Sequence, residues 1–144
     1  MNRQYCASVY CIDFEESCVL LMYNRKLNKW LQPGGHINDS GLELPHDAAI
    51  REVYEETGIK IKLIGPSFDN INIEPIAICH YQNKVGDMID IQYLAIPLNR
   101  ELNNLENNKV VWYPLDELDS TNEIEDEIKV KVKSLYNSYS KKYK

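Results

Sequence analysis

The stretch Gly34–Ile59 reads GGHINDSGLELPHDAAIREVYEETGI. From about His46 to Thr57, Ala48, Ala49, Val53 and Tyr54 recur at helical spacing with charge on the other face. Gly58 then supplies the left-handed stop expected just past a helix C-terminus. Glu52, Glu55 and Glu56 therefore share one helix. With about 3.6 residues per turn, Glu55 lies about 60° to one side of Glu52 and Glu56 about 40° to the other. Like charges held this close repel, at roughly a few tenths of a kcal/mol per pair. A divalent cation over the stripe makes the cluster favourable, and its hard oxygen donors suit Mg²⁺ or Mn²⁺ better than zinc. Glutamate is also a good helix former, so three glutamates alone favour a plain solvated face. Two neighbours shift the balance. Arg51 sits beside Glu52 and one turn before Glu55, where it can hold a carboxylate, and Gly34-Gly35 permits close approach of backbone carbonyls to the same ion.

Upstream, residues 5–13 (YCASVYCID) and 17–22 (SCVLLM) are apolar and β-branched around Glu15-Glu16, which reads as a β-hairpin. Asn24 to Lys29 is loop-like, Trp30-Leu31-Gln32 is a short extended piece halted by Pro33-Gly34-Gly35, and residues 36–45 read as a loop. Downstream, residues 59–64 alternate apolar side chains with lysine as a half-buried strand does. Residues 67–75 are a polar loop, 76–81 and 88–97 are strands joined by a turn at 82–87, and 99–109 is a surface connection. Residues 110–113 form a last strand, and Ile124, Ile128, Val132, Leu135 and Tyr139 mark one face of a tail helix that docks on the core. Strands outnumber helices and some are hairpin-linked, so the expected fold class is α+β around one sheet.

A chain of 144 residues with 44% hydrophobic content suits one domain, 1–144, with a single core. Its 22 acidic against 16 basic residues leave a formal charge of −6, which argues against a polymeric nucleic acid as partner. A small phosphate-bearing substrate is still compatible, provided cations stand between it and the protein. No apolar run approaches the ~20 residues of a membrane span, and the polar N-terminal residues lack a signal-peptide pattern. Cys6, Cys11, Cys18 and Cys79 show no C-x-x-C spacing and read as reduced thiols of a cytoplasmic protein.

The central segment resembles the box of the Nudix hydrolase family, in which a Gly, five residues, a Glu and seven residues precede R-E-U-x-E-E-x-G-U (U aliphatic). Arg51 to Ile59, REVYEETGI, matches throughout, and Glu43 stands seven residues before Arg51. One departure is visible: seven residues, His36 to Leu42, separate Gly35 from Glu43, and Asn38 stands where many members carry a Glu. Trp30 to Gly35 and Val111 to Leu118 extend the likeness. The resemblance implies a single-domain α/β/α sandwich with a mixed sheet. It also implies Mg²⁺- or Mn²⁺-dependent hydrolysis of a pyrophosphate bond in a nucleoside diphosphate linked to another moiety, by a monomer or homodimer. Carried over residue by residue, it makes Glu52, Glu55, Glu56 and the Gly35 carbonyl metal ligands. By the same resemblance Glu52 is also a candidate to activate the attacking water, Arg51 orients the carboxylates, and Glu43 supports Arg51.

A further base or ligand from outside the box has two candidates, Asp87 and Asp90; the plainer reading of Asp90 is a solvent-facing residue on an alternating strand. His36, His46 and His80 read as surface or hydrogen-bonding residues, and Trp30, Tyr81 and Tyr93 as core aromatics that are also able to stack on a base. Two other classes remain open: a non-catalytic nucleotide-binding or sensor domain on the same fold, and an isomerase of that fold, which requires a catalytic Cys for which Cys79 has no convincing context.

Overall fold

The computed structural model describes residues 3–38, 42–69, 71–82, 86–103 and 109–144. Its centre is β1 (Arg3–Asp13), buried from Cys6 onward. Strand alternation sends its side chains into two different layers. Ala7, Val9 and Cys11 meet Ala48, Ala49 and Val53, while Tyr10 and Ile12 meet Ile128 and Val132. An eight-stranded sheet surrounds it. β1 pairs antiparallel with β2 (Cys18–Asn24) at one end and with β4 (Gly34–His36) along Cys6–Ser8, and parallel with β7 (Asp87–Pro97) along Arg3–Cys11. β3 (Lys29–Leu31) and β8 (Val110–Pro114) both pair with β2. β5 (Ile61–Ile64) and β6 (Ala77–Gln82) pair antiparallel with successive halves of β7.

Helix α1 (Pro45–Thr57) covers one face of the sheet. Proline begins it, where no backbone donor is needed, and Gly58 ends it at φ 79°. Ala48 and Ala49 are small enough to bring the helix close to β1, and Thr57 is buried with its hydroxyl donating to the Val53 carbonyl at 2.6 Å. Helix α2 (Asp126–Tyr143) covers the other face, burying Ile128 and Val132 and stacking Tyr136 on Phe14 with ring centroids 5.7 Å apart. The α+β sandwich expected from the sequence is the observed architecture.

The differences are local. Gly34–His36 is a strand, because glycines, poor strand formers alone, let the backbone lie flat against Ala7 and Ser8. Tyr54 is exposed, and Thr57 takes its place on the buried face. β5 starts at Ile61 rather than 59, and a 3-10 helix, Leu115–Ser120, follows β8. Ile124 is buried but lies ahead of α2, in the segment that leads into it. Parts of the expected 82–87 turn (83–85) and of the 99–109 connection (104–108) lie outside the described residues.

Candidate active site

The acidic stripe of α1 is organised by one guanidinium. Arg51 forks onto Glu43, with Nε on Oε2 at 2.7 Å and Nη2 on Oε1 at 2.9 Å. Its Nη1 donates to Glu52 Oε1 at 2.8 Å and Glu55 Oε2 at 3.2 Å, and Nη2 also reaches the His36 carbonyl at 3.0 Å. Arg51 and the Asn38 amide hold the Glu43 carboxyl at about 2, well below the ordinary carboxylate range. The same bonds raise the Arg51 pKa, so this clamp stays charged at any working pH. Glu56 turns the other way and accepts the Gly34 amide at 2.9 Å. The backbone of Gly35 faces Glu52 so closely that a Cβ there would stand 2.5 Å from its carboxylate carbon. Three helical carboxylates and a bare strand backbone thus form one wall.

Among the described residues no three His, Cys, Asp or Glu side chains converge around one point as a coordination shell. The reason is visible: Arg51 engages an oxygen of Glu52 and of Glu55, and a backbone amide engages one of Glu56. The donor set nevertheless fits a hard divalent cation, being all carboxylate oxygen within one turn of helix, beside a glycine backbone that leaves room for an ion.

Two depressions flank the Gly34 strand. One, of about 570 Å³, is bordered by Arg25, Lys26 and Lys109 and reaches Glu56. Its cations come from distant parts of the chain: Arg25 and Lys26 occupy the β2–β3 turn, while Lys109 is brought there by β2–β8 pairing, its carbonyl accepting the Tyr23 amide at 2.9 Å. The other, of about 500 Å³, lies between the sheet and α2 with Tyr81, Met88, Asp90 and Ile128 in its walls. Both share Leu31, Gln32 and Gly34.

The remaining candidates are spread over the molecule. Asp90 is only 6% exposed, so the solvent-facing reading is overturned. It shares the strand face of Gln92 and Leu94, turned towards α2 and away from the α1 glutamates. Its Oδ2 accepts from Ser8 Oγ at 2.9 Å and Gln92 Nε2 at 3.0 Å, and burial pushes its carboxyl pKa up. Asp87 is bonded to His80 and to Arg3, which hold its carboxyl below the ordinary value. His36 pairs with Gln4, and His46 lies beside Asp47. Trp30 packs on Tyr23 and Tyr113, and Tyr93 lies in the α1-side core; of the three aromatics only Tyr81 lines the second depression. Cys79 accepts from Lys131 at 3.3 Å on the α2 side. Ser8, Gln32, Arg25, Lys26 and Lys109 carried no local sequence signal, since strand pairing alone brings them to the site.

Comparison with known proteins places these features. The family model for the NUDIX domain matches residues 2–133. The chain is similar to a NUDIX-family hydrolase from Clostridium perfringens, whose crystal structure superposes with TM-score 0.82 at 27% identity over 96% of this chain and 99% of that one. The NUDIX domain of Shewanella oneidensis NrtR, solved in complex with ADP ribose, shares the fold with TM-score 0.68 at 16% identity, covering 96% of this chain and 89% of that one. Among curated relatives, mouse diphosphoinositol polyphosphate phosphohydrolase 3-alpha is 43% identical over 49 residues, 34% of this chain and 29% of that protein's length.

Proposed function

The chain belongs to the NUDIX family, and from that membership we propose that it hydrolyses a pyrophosphate bond in a small nucleoside-diphosphate derivative, with Mg²⁺ or Mn²⁺ held by Glu52, Glu55, Glu56 and the Gly35 carbonyl. The observation that carries the reading is the wall of three helical carboxylates against the Gly34–Gly35 backbone, opening on a groove edged by Arg25, Lys26 and Lys109. When bound, the cation supplies neutralisation of the diphosphate and a more acidic attacking water. The protein's own groups do the rest. Arg25, Lys26 and Lys109 draw in the phosphates against an overall charge of −6. Arg51, locked on Glu43, fixes the directions of Glu52 and Glu55. Glu52 takes the proton of the water that attacks phosphorus, while the bridging P–O bond breaks and the leaving phosphate keeps the electron pair. The free thiols of Cys6, Cys11, Cys18 and Cys79 support a reducing, cytoplasmic setting.

The test is release of phosphate or nucleotide, with Mg²⁺ and with Mn²⁺, from nucleoside triphosphates, ADP-ribose, NADH, dinucleoside polyphosphates, CoA and a diphosphoinositol polyphosphate. Turnover of at least one nucleotide that stops on chelation supports the reading. Turnover of the inositol compound alone overturns the nucleotide assignment. Binding of nucleotides with no turnover of any compound, metal present, makes the chain a sensor domain instead.

A further inference from the structure

Among the described residues two buried side-chain atoms have no hydrogen-bond partner, Asp90 Oδ1 and Gln32 Oε1, and both residues line the depression between the sheet and α2. An unpartnered buried acceptor is costly and uncommon in a folded protein, and a carboxylate oxygen most of all. Two of them beside one cavity mark a place where donors are missing. Asp90 is held rigidly for such a purpose: Ser8 and Gln92 occupy its other oxygen, and Gln92 is itself fixed by Lys131 Nζ at 2.9 Å. Gln32 is held by a single long hydrogen bond, its Nε2 donating to the same Ser8 hydroxyl at 3.4 Å. Leu31, Met88 and Ile128 make the surrounding walls apolar, and Tyr81 stands among them. A volume of about 500 Å³ with apolar sides and a few fixed polar atoms suits a flat heterocycle rather than a phosphorylated group.

We propose that Asp90 and Gln32 are specificity-determining residues that read the base of the substrate, accepting hydrogen bonds from a nucleobase edge that presents adjacent N–H donors, the guanine pattern. This rests on the hydrolase reading only for the nucleotide nature of the substrate. Guanine sets its ring N1–H next to its exocyclic amine, a run of donors that complements two acceptors. Adenine puts a ring-nitrogen acceptor beside its amine, which would face a carboxylate oxygen and be repelled; hypoxanthine keeps the ring N–H and lacks the amine. The position also suits a substrate joined to the candidate metal wall. In the β4–β1–β7 register His36, Cys6 and Asp90 stand side by side, and the cleft is bounded by the same Gly34–Gly35 backbone that touches Glu56 and Glu52. A base in the cleft thus leaves its phosphates at that backbone.

Calorimetric binding of GMP, IMP, AMP and UMP to the wild-type chain and to Asp90→Asn tests this without turnover, with a thermal melt of each variant to show that it is folded. GMP is expected to bind at least tenfold more tightly than the other three, and Asp90→Asn to reduce that preference by roughly tenfold or more, the discrimination of a good two-point base contact. Gln32→Met, at a less buried position, is expected to narrow the GMP-to-IMP ratio. Equal binding of the four nucleotides, or an unchanged GMP preference in folded Asp90→Asn, overturns the proposal. The two readings fail separately: diphosphate cleavage without base discrimination removes the base site and leaves the hydrolase, whereas GMP selectivity without cleavage of any diphosphate does the reverse.

Discussion

Adding one methyl group at Gly35 and one at Gly34 should have opposite consequences, because the two positions meet different neighbours. The nearest atoms a Cβ at Gly35 would meet all belong to the carboxylate of Glu52, the far end of a flexible side chain. Gly35→Ala is therefore expected to melt within a few degrees of wild type while losing about 10²-fold or more in kcat/KM, since the displaced group is the one proposed to take the water's proton. A Cβ at Gly34 meets the backbone of Ala7 and, at 2.6 Å, Ser8 Cα, so Gly34→Ala should lower the melting temperature, because β1 must move. A Gly35→Ala enzyme of normal turnover would show that turnover does not depend on the Glu52 carboxylate's position against this backbone. Asp90 makes a different prediction. Burial raises its carboxyl pKa in the folded state, and across the interface α2 presents Lys131 and Glu127. A raised carboxyl pKa means the protonated form is the one that folding favours. Its contribution is complete below the unfolded value of about 3.9 and is lost as pH rises through the higher folded value. Asp90→Asn should accordingly raise the melting temperature at pH 7–8 and give no gain near pH 4; a gain independent of pH would contradict the buried charge.

Helix α1 carries the candidate site, and its ends set where the glutamates stand. Gly58 at φ 79° closes the helix and leaves no room for a side chain, since a Cβ would lie 2.6 Å from that of Asn103. Gly58→Ala should therefore cost about 1–2 kcal/mol from the backbone conformation alone, read as a lower urea midpoint with unchanged slope. The helix was legible beforehand because Ala48, Ala49 and Val53 recur at its period and Gly58 marks its stop. The strand at Gly34–His36 was not, because glycines carry no pattern and the pairing is supplied by β1. The burial of Asp90 on β7 is hidden from the sequence for a related reason. An acid alternating with isoleucines looks solvent-facing until α2, encoded far downstream, covers that face. The basic groove had no local signature either, since β2–β8 pairing is what sets Lys109 beside the turn that carries Arg25 and Lys26.

At the scale of the whole molecule, an acidic chain has gathered acidic and basic side chains beside one glycine strand. In the proposed reading the α1 wall takes the cation, the β2–β3 turn the phosphates, and the cleft under α2, with its two unpartnered acceptors, the base. Such a division suits a substrate with a diphosphate in the middle and a heterocycle at one end. Removing divalent ions should abolish turnover and leave the fold, because the sheet, both helices and both core clusters are assembled from side chains of the chain itself. A chelated sample is expected to keep its far-ultraviolet circular dichroism and melt within a few degrees of the untreated one. The most direct measurement is the turnover of Glu52→Gln on the best-cleaved diphosphate at saturating Mg²⁺. A fall of roughly 10²–10⁴-fold in a folded protein is expected; turnover within a few fold of wild type would contradict the role of Glu52 and place the base away from the α1 wall.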